Sequence, residues 1–154
     1  KMVVIGHSMG GCISRLLITD SERRIWDQMF DVPPEQMDLT PEKMLDYLKG
    51  RGCRVGGVTQ GEKGLLWYDE AGVVRTMPAL PIARERVIDT NGAGDVFHGA
   101  YVYSYLSNPS KGWHEHFEFA RAASTYKIQR LGNEAGLPTL ADIETVKQEF
   151  GVSA

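Results

Sequence analysis

Asp89, Thr90, Asn91, Gly92, Ala93, Gly94 and Asp95 form an unbroken run whose residue types suit chemistry at a phosphate. Small residues at 92–94 let the backbone approach a ligand closely. At a helix start they present successive amides and the positive end of the helix dipole, an anion hole for a phosphoryl group. Asp95, one step into that helix, is positioned to accept a proton from an attacking hydroxyl. Phosphoryl transfer asks little more of a protein than alignment and charge neutralisation. A second run, Gly6, His7, Ser8, Met9 and Gly10, suits a different reaction. A serine between two glycines, after a strand and before a helix, fits a nucleophile elbow. The turn is too sharp for side chains at the glycine positions. It holds the Ser8 hydroxyl above the sheet edge and leaves the Met9 amide to help bind an oxyanion.

The segment around Ser8 resembles the α/β-hydrolase family, and the likeness continues more weakly to about Glu42. A hydrolase also needs an acid and then a histidine downstream. Asp89 or Asp95 and His98, His114 or His116 are the candidates, but none sits in a strand-end loop resembling that family's segments. The run 89–100 is more specific: it resembles the C-terminal signature of the ribokinase-like (PfkB) carbohydrate kinases. The likeness extends from about Lys43 to Ala154 and includes the turn Thr59, Gln60, Gly61, Glu62, Lys63, Gly64, similar to that family's TxGxxG turn.

The resemblance implies ATP-dependent phosphoryl transfer to a hydroxyl of a small carbohydrate or related compound. Asp95 would be the catalytic base and Gly92, Ala93 and Gly94 the anion hole. Thr59, Gly61, Gly64 and Asn91 would border the nucleotide, and Ala120, Ala123 and Ser124 would line its adenine pocket. ATP and Mg2+ are the implied cofactors. Asp89, Gly132 and Gly136 lie where many members hold a monovalent cation, with K+ the candidate. The family's NxxE motif, which helps order Mg2+ and phosphate, should precede the TxGxxG turn, yet residues 1–54 contain no asparagine.

These motifs need elements to position them. The apolar run 2–5, with its β-branched content, predicts a short buried parallel strand leading into the elbow. Ile13, Leu16 and Leu17 space as one face of a helix. Pro33, Pro34 and Pro41 mark a loop, and Thr40 caps a helix with Pro41 at its first position. Met44, Leu45 and Leu48 share a face of that helix, which should end at Gly50 or Gly52. Residues 54–59 predict a strand, and 65–68 with 73–77 a hairpin about the turn 69–72. A brief strand is expected at 86–88. Helices are expected at about 94–106, at 114–130 with Phe117, Ala120 and Tyr126 near one face, and from a Thr139 cap to about Phe150. The alternation predicts an α/β fold, three-layered, with a mainly parallel sheet flanked by helices and a β-hairpin in its ribokinase-like half.

Composition bounds the rest. The chain has 154 residues, 42% hydrophobic and 24% charged, with 17 basic against 20 acidic side chains. That size suits a single folded unit, here a hydrolase-like segment 1–42 joined to a nucleotide-binding half 43–154. A net charge of −3 argues against a general nucleic-acid binder. No apolar run approaches the roughly 18 residues that span a bilayer, and no signal peptide is apparent. Cys12 and Cys53, far apart, read as reduced thiols of a cytoplasmic protein. His114 and His116 read as a solvated helix start. The start at Lys1, almost in a strand, suggests a piece of something longer, and an uncovered sheet edge would favour homo-oligomers. Two further readings stay open beside the kinase: a non-catalytic chimeric or scaffold module, and a serine hydrolase using Ser8.

Overall fold

In the computed structural model, residues 4–6 are described as backbone and residues 40–152 in full. The chain divides into two compact units, Lys1–Met77 and Pro78–Ala154. The boundary read from the sequence at 42/43 falls inside the first.

The first unit is built on helix α1 (Pro41–Gly50), with Pro41 in its opening turn. The Thr40 hydroxyl accepts from the Lys43 amide at 3.4 Å, as the sequence predicts. Gly52, at φ 82°, ends it in the left-handed region that suits glycine. Leu45 is fully buried and packs with Val58, Leu66 and Tyr68, flanked by Met44 and Leu48. Below α1 lie β1 (Val4–Gly6), β2 (Gly56–Thr59), β3 (Leu65–Tyr68) and β4 (Arg75–Met77), in that order across the sheet. Gly56 is demanded by packing: a Cβ there would stand 2.7 Å from the Tyr68 ring. Tyr68 lies across the strand, its hydroxyl donating to the Cys53 carbonyl at 3.0 Å.

The expected mainly parallel sheet needs correction among the described residues. Only β1 and β2 run parallel, while β2–β3 and β3–β4 are antiparallel. Connections this short cannot make the crossover that parallel strands require, so each returns its strand antiparallel. The hairpin turn is as expected. Gly72 donates to the Asp69 carbonyl at 2.8 Å, and the Asp69 carboxylate holds Arg75 at 2.7 Å.

The second unit is helical: α2 (Ala93–Ser107), α3 (Trp113–Ile128) and α4 (Leu140–Glu149). Leu80, Ala122, Ala123, Ile143 and Val146 form its core. Phe97 stacks on Phe117 at 6.2 Å, with Tyr101 edge-on to Phe117 at 5.9 Å. His116 departs from the solvated reading. It is fully buried and its Nδ1 meets the Ser104 hydroxyl at 2.9 Å. Burial pushes its pKa below the ordinary histidine value. His114, two residues away, is exposed.

The brief strand expected at 86–88 does not form. A 3-10 turn, Arg84–Arg86, leads into this segment, and residues 87–90 take no regular structure. The amides of Ile88 and Asp89 both donate to the Ile128 carbonyl, at 2.7 and 3.1 Å. The open end of α3, rather than a neighbouring strand, satisfies this segment. Arg86 fastens it further, donating to Gln129 at 2.6 Å and to Glu149 at 3.1 Å.

Thr139 opens α4 with a full capping box: its hydroxyl accepts from the Asp142 amide at 3.2 Å, and the Asp142 carboxylate accepts from the Thr139 amide at 2.8 Å. Thr139→Ala should therefore cost about 1 kcal/mol, read as a lower urea midpoint with unchanged far-ultraviolet circular dichroism.

Candidate active site

The run 89–95 becomes a turn feeding α2. The Asp89 carboxylate accepts from the Asn91 amide at 2.9 Å, which tightens the turn. Gly92, at φ 75°, is the N-cap of α2 in the left-handed region. Asn133 lies close by: a Cβ at Gly92 would stand 2.5 Å from its Oδ1, the end of an exposed side chain, so the positive φ is what calls for glycine. The helix ladder begins at Val96, whose amide donates to the Gly92 carbonyl at 3.0 Å. Earlier amides of the first turn lie outside the ladder. Of the three expected in the anion hole, that of Ala93 already donates to the Thr90 carbonyl at 3.2 Å. His98 Nδ1 lies 2.7 Å from the Gly94 carbonyl, one turn back.

Asp95 is exposed and stands on the first turn of α2. With Gly92 it borders a cleft of about 560 Å³, otherwise walled mainly by apolar side chains such as Val96, Tyr103, Phe119 and Leu140. Asn133 also lines it.

Asp89, Gly132 and Gly136 are brought together at the end of α3. Asp89 Oδ2 accepts from the Gly132 amide at 3.0 Å and from Lys127 Nζ at 3.0 Å. Lys127 also donates to the Asp89 carbonyl at 3.1 Å. Gly136 is buried under the lysine stem: a Cβ there would be 2.9 Å from both Lys127 Cγ and the Gly132 carbonyl oxygen. These residues do not fit a bound K+, because the oxygens of Asp89 that it would take already receive an ammonium.

The Asn91 amide, the Lys127 ammonium and the Gly132 amide, in that order, hold the Asp89 carboxyl at a pKa of about 2, below its ordinary 3.8.

The remaining expected residues are placed as follows. Ala120 and Ala123 are fully buried. Ser124 is half-buried, its hydroxyl donating to the Arg121 carbonyl at 3.1 Å. Thr59, Gly61 and Gly64 belong to the first unit. The Gln60 amide donates to the Gly64 carbonyl at 2.7 Å, with Gly61 at φ 60° and Gly64 at φ 95°. Space around Gly61 is open. Ser8, Cys12 and the elbow beyond Gly6 lie outside the described residues.

Sequence reasoning missed Lys127 and Asn133. Lys127 carried a signal: Phe117, Ala120, Ala123 and Lys127 space as one buried helical face, with a charge at its end. Asn133 carried none, because its role depends on how the loop folds over Gly92.

Two outcomes follow. Asp89 is ionised in the fold at pH values where an unfolded aspartate is already protonated. Its stabilisation is thus complete above the unfolded value of 3.8 and is lost as pH falls toward about 2. The difference in melting temperature between wild type and Asp89→Asn should be constant above roughly pH 5 and shrink steadily below it. A gap that holds constant down to the folded pKa would contradict this. Gly136→Ala should cost roughly 1–3 kcal/mol by overpacking, measured by chemical denaturation.

Comparison with known proteins places this geometry. Residues 18–140 match the pfkB family carbohydrate kinases. That match begins inside the segment that resembled a hydrolase, and nothing found supports the hydrolase likeness. Ribokinase of Lactococcus lactis is 30% identical over 119 residues, 77% of this chain and 38% of the relative. The crystal structure of ribokinase from Thermotoga maritima superposes with a TM-score of 0.66 at 26% identity, over 84% of this chain and 40% of that one. A candidate ribokinase II from E. coli, solved with ATP and Mg2+, gives a TM-score of 0.59 at 27% identity, over 72% and 34% of the two chains. The chain thus spans about two-fifths or less of the length of these relatives, and its fold is the α/β fold of ribokinases. A left-handed glycine at a helix start, an aspartate on the first turn and a matching stretch of 123 residues converge: the chain belongs to the pfkB family of carbohydrate kinases.

Proposed function

We propose that this chain forms the nucleotide-binding part of an enzyme that transfers a phosphoryl group from ATP to a hydroxyl of a small carbohydrate or related compound. The observation that carries this reading is the turn at Gly92, which sets first-turn backbone amides and the exposed Asp95 together at the edge of an open cleft. Asp95 takes the proton of the acceptor hydroxyl. The acceptor oxygen bonds to the γ-phosphorus as the bond to the bridging oxygen breaks, leaving ADP and a phosphate ester. First-turn amides and the helix dipole stabilise the charge on the phosphoryl oxygens.

ATP with Mg2+ is the proposed donor, supported by the E. coli family structure that contains both. Bound with the nucleotide, Mg2+ would neutralise phosphate charge. Among the described residues no cluster of three His, Cys, Asp or Glu side chains forms a ready metal set, so no step is assigned to a protein-held Mg2+. In the first unit, the open space at Gly61 supports assigning Thr59, Gly61 and Gly64 to the nucleotide. Of the three adenine-pocket residues, Ser124 retains exposed surface. Among the described residues no helix is long and apolar enough to cross a membrane. A cytoplasmic location, where ATP is supplied and Cys53 stays reduced, accompanies the proposal.

The test combines calorimetry with nuclear magnetic resonance. ATP with Mg2+ should give a binding heat and shift the amide resonances of Gly92, Gly94 and Asp95. Absence of both overturns the reading. In a form of the protein that turns over, Asp95→Asn should leave ATP affinity intact and slow phosphoryl transfer by roughly 10²–10⁴-fold, the usual worth of a general base.

A further inference from the structure

The site expected to hold a monovalent cation contains a cation that the chain itself supplies. Lys127 is fully buried at the end of α3. Its Nζ donates to Asp89 Oδ2 at 3.0 Å and to the Asp89 carbonyl at 3.1 Å. The C-terminal end of a helix carries partial negative charge and favours a cation. A buried ammonium without a counter-charge would be strongly disfavoured, and here the carboxylate and the carbonyl of one residue answer it. The pocket is shaped to the lysine stem, since Gly136 leaves room for Cγ and Cε where any side chain would collide. Asp89 is in turn the residue that ties the Asn91 amide, two residues before the helix that carries Asp95.

We propose that Lys127 is a tethered monovalent cation: its ammonium takes the place of K+ beside Asp89 and makes the Asn91–Gly92 turn independent of added alkali cation. Lys127 is then a positioning residue acting through Asp89, not a group that touches substrate. The inference deepens the kinase reading and rests on it for its consequence, the preorganised phosphate turn. A free K+ would have to be collected from solution before the turn was ordered. A side chain one position before Ile128, whose carbonyl holds the Ile88 and Asp89 amides, arrives with the fold.

The experiment compares the full chain in potassium chloride and in tetramethylammonium chloride at equal ionic strength, by melting temperature and by ATP titration. Wild type should show the same melting temperature and the same ATP affinity in both. Lys127→Ala opens the space beside Asp89. It should melt lower in tetramethylammonium and lose ATP affinity by roughly 5–150-fold, the usual range of coupling between two sites. K+ should restore most of both. Lys127→Met, which fills the space without charge, should show the same loss without K+ rescue. A K+-selective rise in the melting temperature of wild type overturns the proposal, and this reading needs no variant to fold. Folded Lys127→Ala that is indifferent to K+ overturns it as well. Failure to bind ATP in every buffer overturns the kinase reading alone, because the melting comparison reports on the cation site without nucleotide.

Discussion

A fully buried lysine ammonium must have its charge answered, and in this protein that requirement organises the surroundings of the candidate site. Lys127 donates to both the carbonyl and the carboxylate of Asp89. To bring Asp89 there, the chain must run from the 3-10 turn Arg84–Arg86 back along the open end of α3, where the Ile128 carbonyl receives two amides. To cover the lysine stem, the loop after α3 must offer a residue without a side chain, and Gly136 does so. The Gly132 amide then completes the set around the Asp89 carboxylate. Each contact is modest alone. Together they leave the segment 88–92 little freedom, and removing Asp89 would leave the buried Lys127 ammonium without its counter-charge.

That constraint reaches function through a single turn. The Asp89 carboxylate holds the Asn91 amide, and Gly92 follows with the positive φ that starts α2. The phosphate-binding geometry proposed here is therefore inherited from a charge pair that would not itself touch the ligand. Asn133, close to Gly92, comes from the same loop as Gly132, whose amide holds the Asp89 carboxylate, so one short segment lies against the turn. Such an arrangement suits an electrostatic role, in which donors must be fixed before the charge develops.

The first unit shows the same economy in a different form. Gly56 lies under the Tyr68 ring, which fills the space between sheet and α1 and reaches the Cys53 carbonyl. Leu45, buried against Val58 and Leu66, seats the helix. Here packing without charge does the positioning, and the glycine-rich turn at residues 60–64 takes its shape from hydrogen bonds within itself.

The sequence by itself determined the family motif at 89–95, the Thr40 and Thr139 caps, the hairpin turn with its Asp69 and Gly72, and, among the described residues, the helices within a residue or two. All are local: their signals lie within a few residues, in backbone geometry and hydrogen-bond chemistry. Sequence reading also marked Asp89, Gly132 and Gly136 as one site, but only through resemblance. Tertiary structure alone decided the rest. It denied residues 86–88 the expected strand, because the partner for these amides is a helix end 40 residues away, Ile128 for Ile88. It buried His116, which the sequence places in a solvated helix start. It also set Lys127 in the expected cation site, since an amphipathic stripe reveals that a lysine is inward but not which carboxylate meets it. A buried charge chooses its partner through space, and periodicity along one helix carries no record of that choice.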